Sequence, residues 1–209
     1  MRLYDYAPSA NCLKARMLLH RLGIDYERVP VDIFDGHTLS DEYARMNPSR
    51  RTPVLEPEPG VFLPESNAIC VYLAEGSDLL GADRLERAQV LRWLFFEQNQ
   101  FELSVGGARF WTLTGRHPNA LPAARERARG ALEALAAGLR GREWLVGDRF
   151  TLADHVLYAY AHVAGDAEVE VPPEIAAWVD RVEAQPGHMN DLEPYPENAR
   201  AGAGRSVHG

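Results

Sequence analysis

Cysteine and long apolar runs are both scarce in this sequence of 209 residues, and each scarcity excludes a class of protein. The two cysteines, Cys12 and Cys70, lie far apart and lack the spacing of a disulfide framework, so we expect both to be reduced. No apolar run approaches the roughly 18 residues typical of a membrane span, and the first residues lack a signal-peptide pattern. We therefore expect no membrane partner and a cytoplasmic location.

Basic residues are also in the minority, with 22 against 30 acidic residues and a formal net charge of -8. An acidic balance of this kind argues against nucleic acid as a partner. The seven histidines are scattered without the spacing of metal ligands, so no metal site is predicted. An anionic ligand would need a local basic site.

The chain changes character along its length. Residues 1–75 alternate strand and helix signals, residues 76–83 form a predicted linker, and residues 84–209 carry helical periodicity followed by a tail. The tail, from Glu193 onward, holds Pro, Gly, Ala and Arg without periodicity and is predicted either to wrap against the protein or to stay mobile. Gly106-Gly107 is predicted to separate two of the helices.

The first segment with a distinctive chemistry joins a strand to a helix. After a short apolar run that ends at Ala7-Pro8, Ser9 or Asn11 is predicted to cap a helix with apolar residues at helical spacing. A hydroxyl, an amide and the Cys12 thiol therefore lie within four residues at a helix N-terminus. Backbone N–H groups and the helix dipole stabilise an anion there, and a thiolate is such an anion.

Two further segments follow in order. Thr52-Pro53 opens an apolar strand, where proline is tolerated because it donates nothing to the ladder. Glu65-Ser66 follows the next strand, with Ser66 as the predicted N-cap of a helix. The Glu65 carboxylate beside it can pair with an ammonium group.

Together the three segments describe a domain that binds a small thiol peptide, and the sequence resembles the glutathione S-transferase superfamily. The resemblance is to a bacterial soluble type with a Ser-x-Asn segment after its first strand, and it covers nearly the whole chain. It implies an α/β thioredoxin-like N-terminal domain plus an all-α C-terminal domain. It also implies glutathione as co-substrate, a small electrophile or disulfide as second substrate, and a homodimer.

The resemblance implies binding roles for particular residues. Glu65 and Ser66 would hold the γ-glutamyl group of glutathione. Thr52, the residue before Pro53, would bind the backbone of the cysteinyl residue.

At the other positions the resemblance leaves alternatives open. Ser9 would hydrogen-bond the glutathione sulfur, with Asn11 as its competitor for this catalytic role. His37 and Arg51 lie where relatives place contacts to the glycine carboxylate. Cys12 is either a nucleophile activated by the helix N-terminus or a small buried residue facing the sheet.

The second half carries a motif with a structural role. Thr151 and Asp154 have the spacing of a capping box, in which each side chain binds the backbone N–H of the other residue. The predicted role of this pair is folding and not chemistry.

Three functions remain open at this point. The first is a transferase that activates glutathione as a thiolate for attack on small electrophiles. The second is a glutathione-dependent disulfide reductase, and the third is a non-catalytic glutathione-binding regulatory protein of the same fold. The presence of Thr52, Glu65 and Ser66 argues against the third.

Overall fold

The computed structural model describes residues 1–207, which divide into two units. The first unit contains Met1–Leu73 together with the segment from Met189 onward, and the second unit is Ala74–His188. The boundaries predicted from the sequence, with a linker at residues 76–83, stay a prediction.

A four-stranded sheet forms the centre of the first unit. Its strands β1 (Arg2–Asp5), β2 (Glu27–Pro30), β3 (Val54–Glu58) and β4 (Val61–Pro64) lie in the order β2-β1-β3-β4. The pairing of β1 with β2 is parallel, whereas β1 with β3 and β3 with β4 are antiparallel. The sheet is accompanied by the helices α1 (Ala10–Arg21), α2 (Asp41–Met46) and α3 (Ser66–Ala74). The predicted α/β thioredoxin-like fold class is confirmed.

The second unit is helical, as predicted. Its elements are α4 (Arg84–Phe96), a π-helical segment (Glu97–Gly106), α5 (Gly107–Thr114), α6 (Leu121–Leu139), α7 (Leu152–Ala161) and α8 (Pro173–Glu183). Within residues 1–207, none of the helices combines the length and the apolar character needed to cross a membrane.

The helical conformation continues through Gly106-Gly107, so the prediction that these glycines separate two helices is wrong. The π-helical segment passes directly into α5, and both glycines have helical backbone angles. A Cβ built on Gly106 would lie 2.6 Å from Cε1 of Tyr160, which is far closer than carbon atoms approach each other. Glycine at this position therefore allows close packing between helices instead of ending one.

The predicted capping box is present at the start of α7. Asp154 is fully buried, and its Oδ2 accepts hydrogen bonds from the backbone N–H and the hydroxyl of Thr151, each at 3.0 Å. Its Oδ1 accepts two more, from Trp178 Nε1 at 2.9 Å and from the Leu145 N–H at 3.0 Å. The carboxylate is thus engaged in joining α7 to its neighbours, which agrees with a role in folding.

The C-terminal tail lies against the first unit, although the sequence placed it with the helical domain. The Asp191 carboxylate accepts from Arg16 Nε at 2.7 Å, and Asn198 Nδ2 donates to Asp32 Oδ2 at 2.6 Å. Arg16 is fully buried and also pairs with the buried Asp5 carboxylate, which in turn pairs with Arg28. The tail is held because it completes the hydrogen bonding of a buried guanidinium, a contact that periodicity does not reveal. His208 and Gly209, the last residues of the predicted tail, lie outside the described residues.

Candidate functional site

Ser9 caps α1, as one of the two alternatives predicted. Its backbone is extended, with φ -84° and ψ 121°, and its Oγ accepts a hydrogen bond from the Cys12 N–H at 3.3 Å. The side chain is half-buried. A hydroxyl that accepts a hydrogen bond keeps its own proton for donation, so Ser9 can cap the helix and donate to a ligand at once.

Asn11 lies inside the first turn of α1 and contacts the start of α3. The Ser66 hydroxyl donates to Asn11 Oδ1 at 3.2 Å, although the two residues are 55 positions apart in sequence. The structure therefore brings together one residue predicted to contact the glutathione sulfur and one predicted to contact the γ-glutamyl group.

Lys14, which was not among the site residues predicted from the sequence, joins this contact. Its Nζ donates to Asn11 Oδ1 at 2.8 Å and, at 3.5 Å each, to Ser66 Oγ and Asn67 Oδ1. The side chain is fully buried. A signal was present in the sequence, since a lysine three residues after Asn11 interrupts an otherwise apolar helix face.

Cys12 is fully buried beneath the first turn of α1. Its Sγ accepts from the Tyr6 N–H at 3.4 Å, and the Thr52 side chain also hydrogen-bonds to it. Burial raises the pKa of the Cys12 thiol to about 12, an effect that outweighs the hydrogen bonds favouring the thiolate. Cys12 is thus a protonated thiol at neutral pH, and the structure favours the alternative of a buried residue over that of a nucleophile.

Thr52 and Pro53 are joined by a cis peptide bond just before β3. The loop leading to them is fixed at the carbonyl of Arg51, which accepts from Asn47 Nδ2 at 2.8 Å and from the Tyr43 hydroxyl at 3.1 Å. Both donor residues are buried. The position of the Thr52 backbone is therefore set from α2 and the loop that follows it.

Glu65 has an unusual backbone conformation at the junction between β4 and α3. Its φ is +75°, in the left-handed region that residues other than glycine rarely adopt and that is found disproportionately at functional sites. Its carbonyl accepts from the Ile69 N–H at 2.9 Å, and its side chain is exposed. Glu65 thus occupies the position before the helix, and the prediction that Ser66 is the N-cap is wrong.

Ser66 is instead the first residue of α3, and this changes what it offers to a ligand. The first N–H groups of a helix have no acceptor within the helix, and together with the dipole they attract an anion. The start of α3 therefore combines these backbone donors with the exposed Glu65 carboxylate. The partial positive charge of the helix N-terminus and the negative charge of Glu65 suit a ligand end that carries both a carboxylate and an ammonium group.

His37 and Arg51 are both exposed. The His37 ring meets the Tyr43 ring edge to face at a centroid distance of 6.0 Å, and the Tyr43 hydroxyl donates to the Arg51 carbonyl at 3.1 Å. Tyr43, a buried residue of α2, thus contacts both His37 and Arg51. Their predicted contact with a glycine carboxylate stays a prediction.

Family models match both halves of the chain. The model described as glutathione S-transferase, N-terminal domain, matches residues 1–75, and the model described as glutathione S-transferase, C-terminal domain, matches residues 108–186.

Individual proteins are similar over most of the chain. A glutathione S-transferase-like protein from Fusarium is 30% identical over 190 residues, which is 85% of each chain. A glutathione S-transferase from Pseudomonas fluorescens, known from a crystal structure, has 37% sequence identity and a TM-score of 0.87. The match covers 92% of this chain and 98% of that one. A possible glutathione S-transferase from Rhodopseudomonas palustris is 36% identical with a TM-score of 0.87, covering 91% and 89% respectively.

Proposed function

Because the chain belongs to the glutathione S-transferase superfamily, we propose that its first unit binds glutathione and activates it as a thiolate for attack on small electrophilic substrates. One observation carries the proposal for this particular chain. The Ser66 hydroxyl donates to Asn11 Oδ1 at 3.2 Å, so residues assigned to the sulfur and to the γ-glutamyl group of one small peptide are in direct contact.

The binding mode assigns one group of the ligand to each segment. Glu65 pairs with the ammonium group of the γ-glutamyl residue, and the first N–H groups of α3 bind its carboxylate. Thr52, before Pro53, holds the cysteinyl backbone. His37 and Arg51 are the candidates for the glycine carboxylate, and both have exposed side chains that a ligand can reach.

Activation of the thiol requires a moderate electrostatic effect. Lowering a thiol pKa from its ordinary value of about 8.5 by roughly two units corresponds to about 2.7 kcal/mol of differential stabilisation. The Ser9 hydroxyl or the Asn11 amide, as a donor to the sulfur, and the N-terminus of α1 supply effects of this size together. The thiolate then attacks an electrophilic carbon and forms a thioether while the leaving group departs with its electron pair.

The buried state of Cys12 bears on the alternative function of disulfide reductase. A protonated thiol with no exposed surface is a poor nucleophile, so a reductase built on this site would use the sulfur of glutathione. Both activities thus depend on the same binding site. A homodimer, expected from the family, and a cytoplasmic location, expected from the sequence pattern, complete the proposal.

Calorimetric titration with glutathione tests the binding site, with Glu65→Gln as the informative variant. This substitution keeps the size of the side chain and removes its charge. We expect an affinity lower by about tenfold to a hundredfold, the range for losing a hydrogen bond to a charged group. Glu58→Gln is the matched control, because Glu58 is an exposed glutamate at the end of β3 in the same unit.

Assays of thiol conjugation and of disulfide reduction on the same samples decide between the two activities. Conjugation in the wild type supports the transferase, and disulfide reduction alone supports the reductase. Absence of glutathione binding to the wild-type protein would overturn the proposal, as would equal losses in Glu65→Gln and Glu58→Gln.

A further inference from the structure

Lys14 is the only lysine in the sequence. The chain has 22 basic residues, so the remaining 21 are arginines. This single lysine is also fully buried, in the first half of α1. A fully buried lysine is rare unless it is paired, because removing its charge from water is costly.

The surroundings of Lys14 suit an ammonium group and not a guanidinium. An ammonium group has three donors on one compact nitrogen, and three side-chain oxygens accept from Nζ: those of Asn11, Ser66 and Asn67. A planar guanidinium directs its donors in a fork and could not converge on the same three atoms. The site is therefore built for lysine in a chain that otherwise uses arginine.

The hydrogen bonds around Lys14 fix the orientation of the Asn11 amide. An ammonium group can only donate, so the atom that faces it at 2.8 Å must be the amide oxygen. The Ser66 hydroxyl donates to the same oxygen at 3.2 Å. With its acceptor turned toward Lys14 and Ser66, the Asn11 side chain has its N–H donors on the other branch of the amide.

We propose that Lys14 is a positioning residue that orients the Asn11 amide so that it presents an N–H donor, and not its oxygen, to the sulfur of bound glutathione. This inference rests on the proposed function and goes further in two respects. It selects Asn11 as a sulfur ligand, and it names the residue that determines which atom of the Asn11 amide faces the sulfur. A donor stabilises a thiolate, whereas an amide oxygen would repel it. The same lysine also donates to Ser66, so it contacts both the residue proposed for the sulfur and one proposed for the γ-glutamyl group.

The alternative is that Lys14 only joins α1 to α3. In that case its loss would lower stability and affinity without changing the ionisation of the bound thiol. The ratio of thiolate to thiol in bound glutathione, measured by ultraviolet difference absorbance at neutral pH with saturating ligand, separates the two roles.

Lys14→Met tests the proposal, because methionine has a similar length and no donor. We expect the ratio of thiolate to thiol to fall about tenfold, the factor that corresponds to weakening one hydrogen bond to a charged group. Arg16→Lys is the control, since it perturbs another buried basic residue of α1 that binds Asp5 and Asp191. We expect this control to lower stability and to leave the ratio unchanged.

The outcomes are distinct. An unchanged ratio in folded Lys14→Met overturns the proposal, and so does an equal fall in Arg16→Lys, which would indicate general loosening of α1. If wild-type protein binds no glutathione, the proposed function itself fails, and this inference with it.

A second measurement needs no variant. Because the sequence has one lysine, isotopic labelling of lysine Nζ gives a single magnetic-resonance signal from Lys14. We expect this signal to move when glutathione binds and to move less with S-methylglutathione, which has no ionisable thiol. Equal shifts with both ligands, when calorimetry shows that both bind, would overturn the proposal even if Lys14→Met does not fold.

Discussion

Replacing Ser9 with either Gly or Ala separates the capping role of this residue from a catalytic one. The Ser9 Oγ accepts from the Cys12 N–H at 3.3 Å, and its backbone is in the extended region that N-cap residues adopt. Alanine removes both the hydroxyl and the cap, at a cost of about 1 kcal/mol in the free energy of unfolding. Glycine also removes the hydroxyl but costs only a few tenths of a kcal/mol, because it is itself a tolerated N-cap.

The expected kinetics follow from this difference. If the Ser9 hydroxyl donates to the glutathione sulfur, both variants lose the same donor, and kcat at neutral pH should fall in both by about tenfold or more. The assay is thiol conjugation at saturating glutathione across a pH series, with chemical denaturation of the same samples. Full activity in Ser9→Gly would refute a catalytic role for Ser9, leaving Ser9 as a cap and Asn11 as the donor.

Further predictions concern the two cysteines and two glycines of α6. Alkylating reagents should label neither Cys12 nor Cys70 in the native protein and both in denaturant, because both thiols are buried. Cys12→Ala should keep any disulfide reductase activity. Rapid labelling of native Cys12, or loss of reductase activity in folded Cys12→Ala, would indicate that Cys12 is a nucleophile. In α6, Gly130→Ala should stabilise the protein by up to about 1 kcal/mol, because nothing lies within 4 Å of the new Cβ. Gly138→Ala should destabilise the protein by about 1–3 kcal/mol, because the new Cβ would lie 2.4 Å from Cη2 of the buried Trp93. Chemical denaturation measures the free energy of unfolding of both glycine variants. Changes of the same sign in the two variants would contradict the packing described for α6.

The parts of the fold that the sequence predicted are those encoded by neighbouring residues. Ser9 caps a helix through a hydrogen bond to the N–H three residues later, and the Thr151–Asp154 capping box is closed over the same spacing. The order of strands and helices in the first unit also follows from local periodicity. Such patterns involve only residues within one or two turns, so they can be recognised without knowing the fold.

The parts that were missed depend on contacts between distant segments. Lys14 contacts Ser66 and Asn67 across more than 50 positions, so the periodicity of α1 could mark the lysine as unusual but could not identify its partners. The same holds for Gly106, whose lack of a side chain matters because of Tyr160. The helix α3 starts at Ser66, one residue earlier than predicted, directly after Glu65 with its positive φ, and no composition rule predicts a left-handed glutamate.

Stability and chemistry share residues at the contact between α1 and α3. Removing an acceptor from Lys14 leaves a buried ammonium group less well satisfied, which costs free energy whether or not the site is catalytic. Substitutions at Asn11 or Ser66 should therefore lower stability and activity together, and an activity loss there is assigned to chemistry only after the unfolding of the same variant is measured. Glu65 differs because its side chain is exposed. Glu65→Gln removes a charge at the ligand site while the Asn11, Ser66 and Asn67 oxygens that accept from Lys14 stay in place.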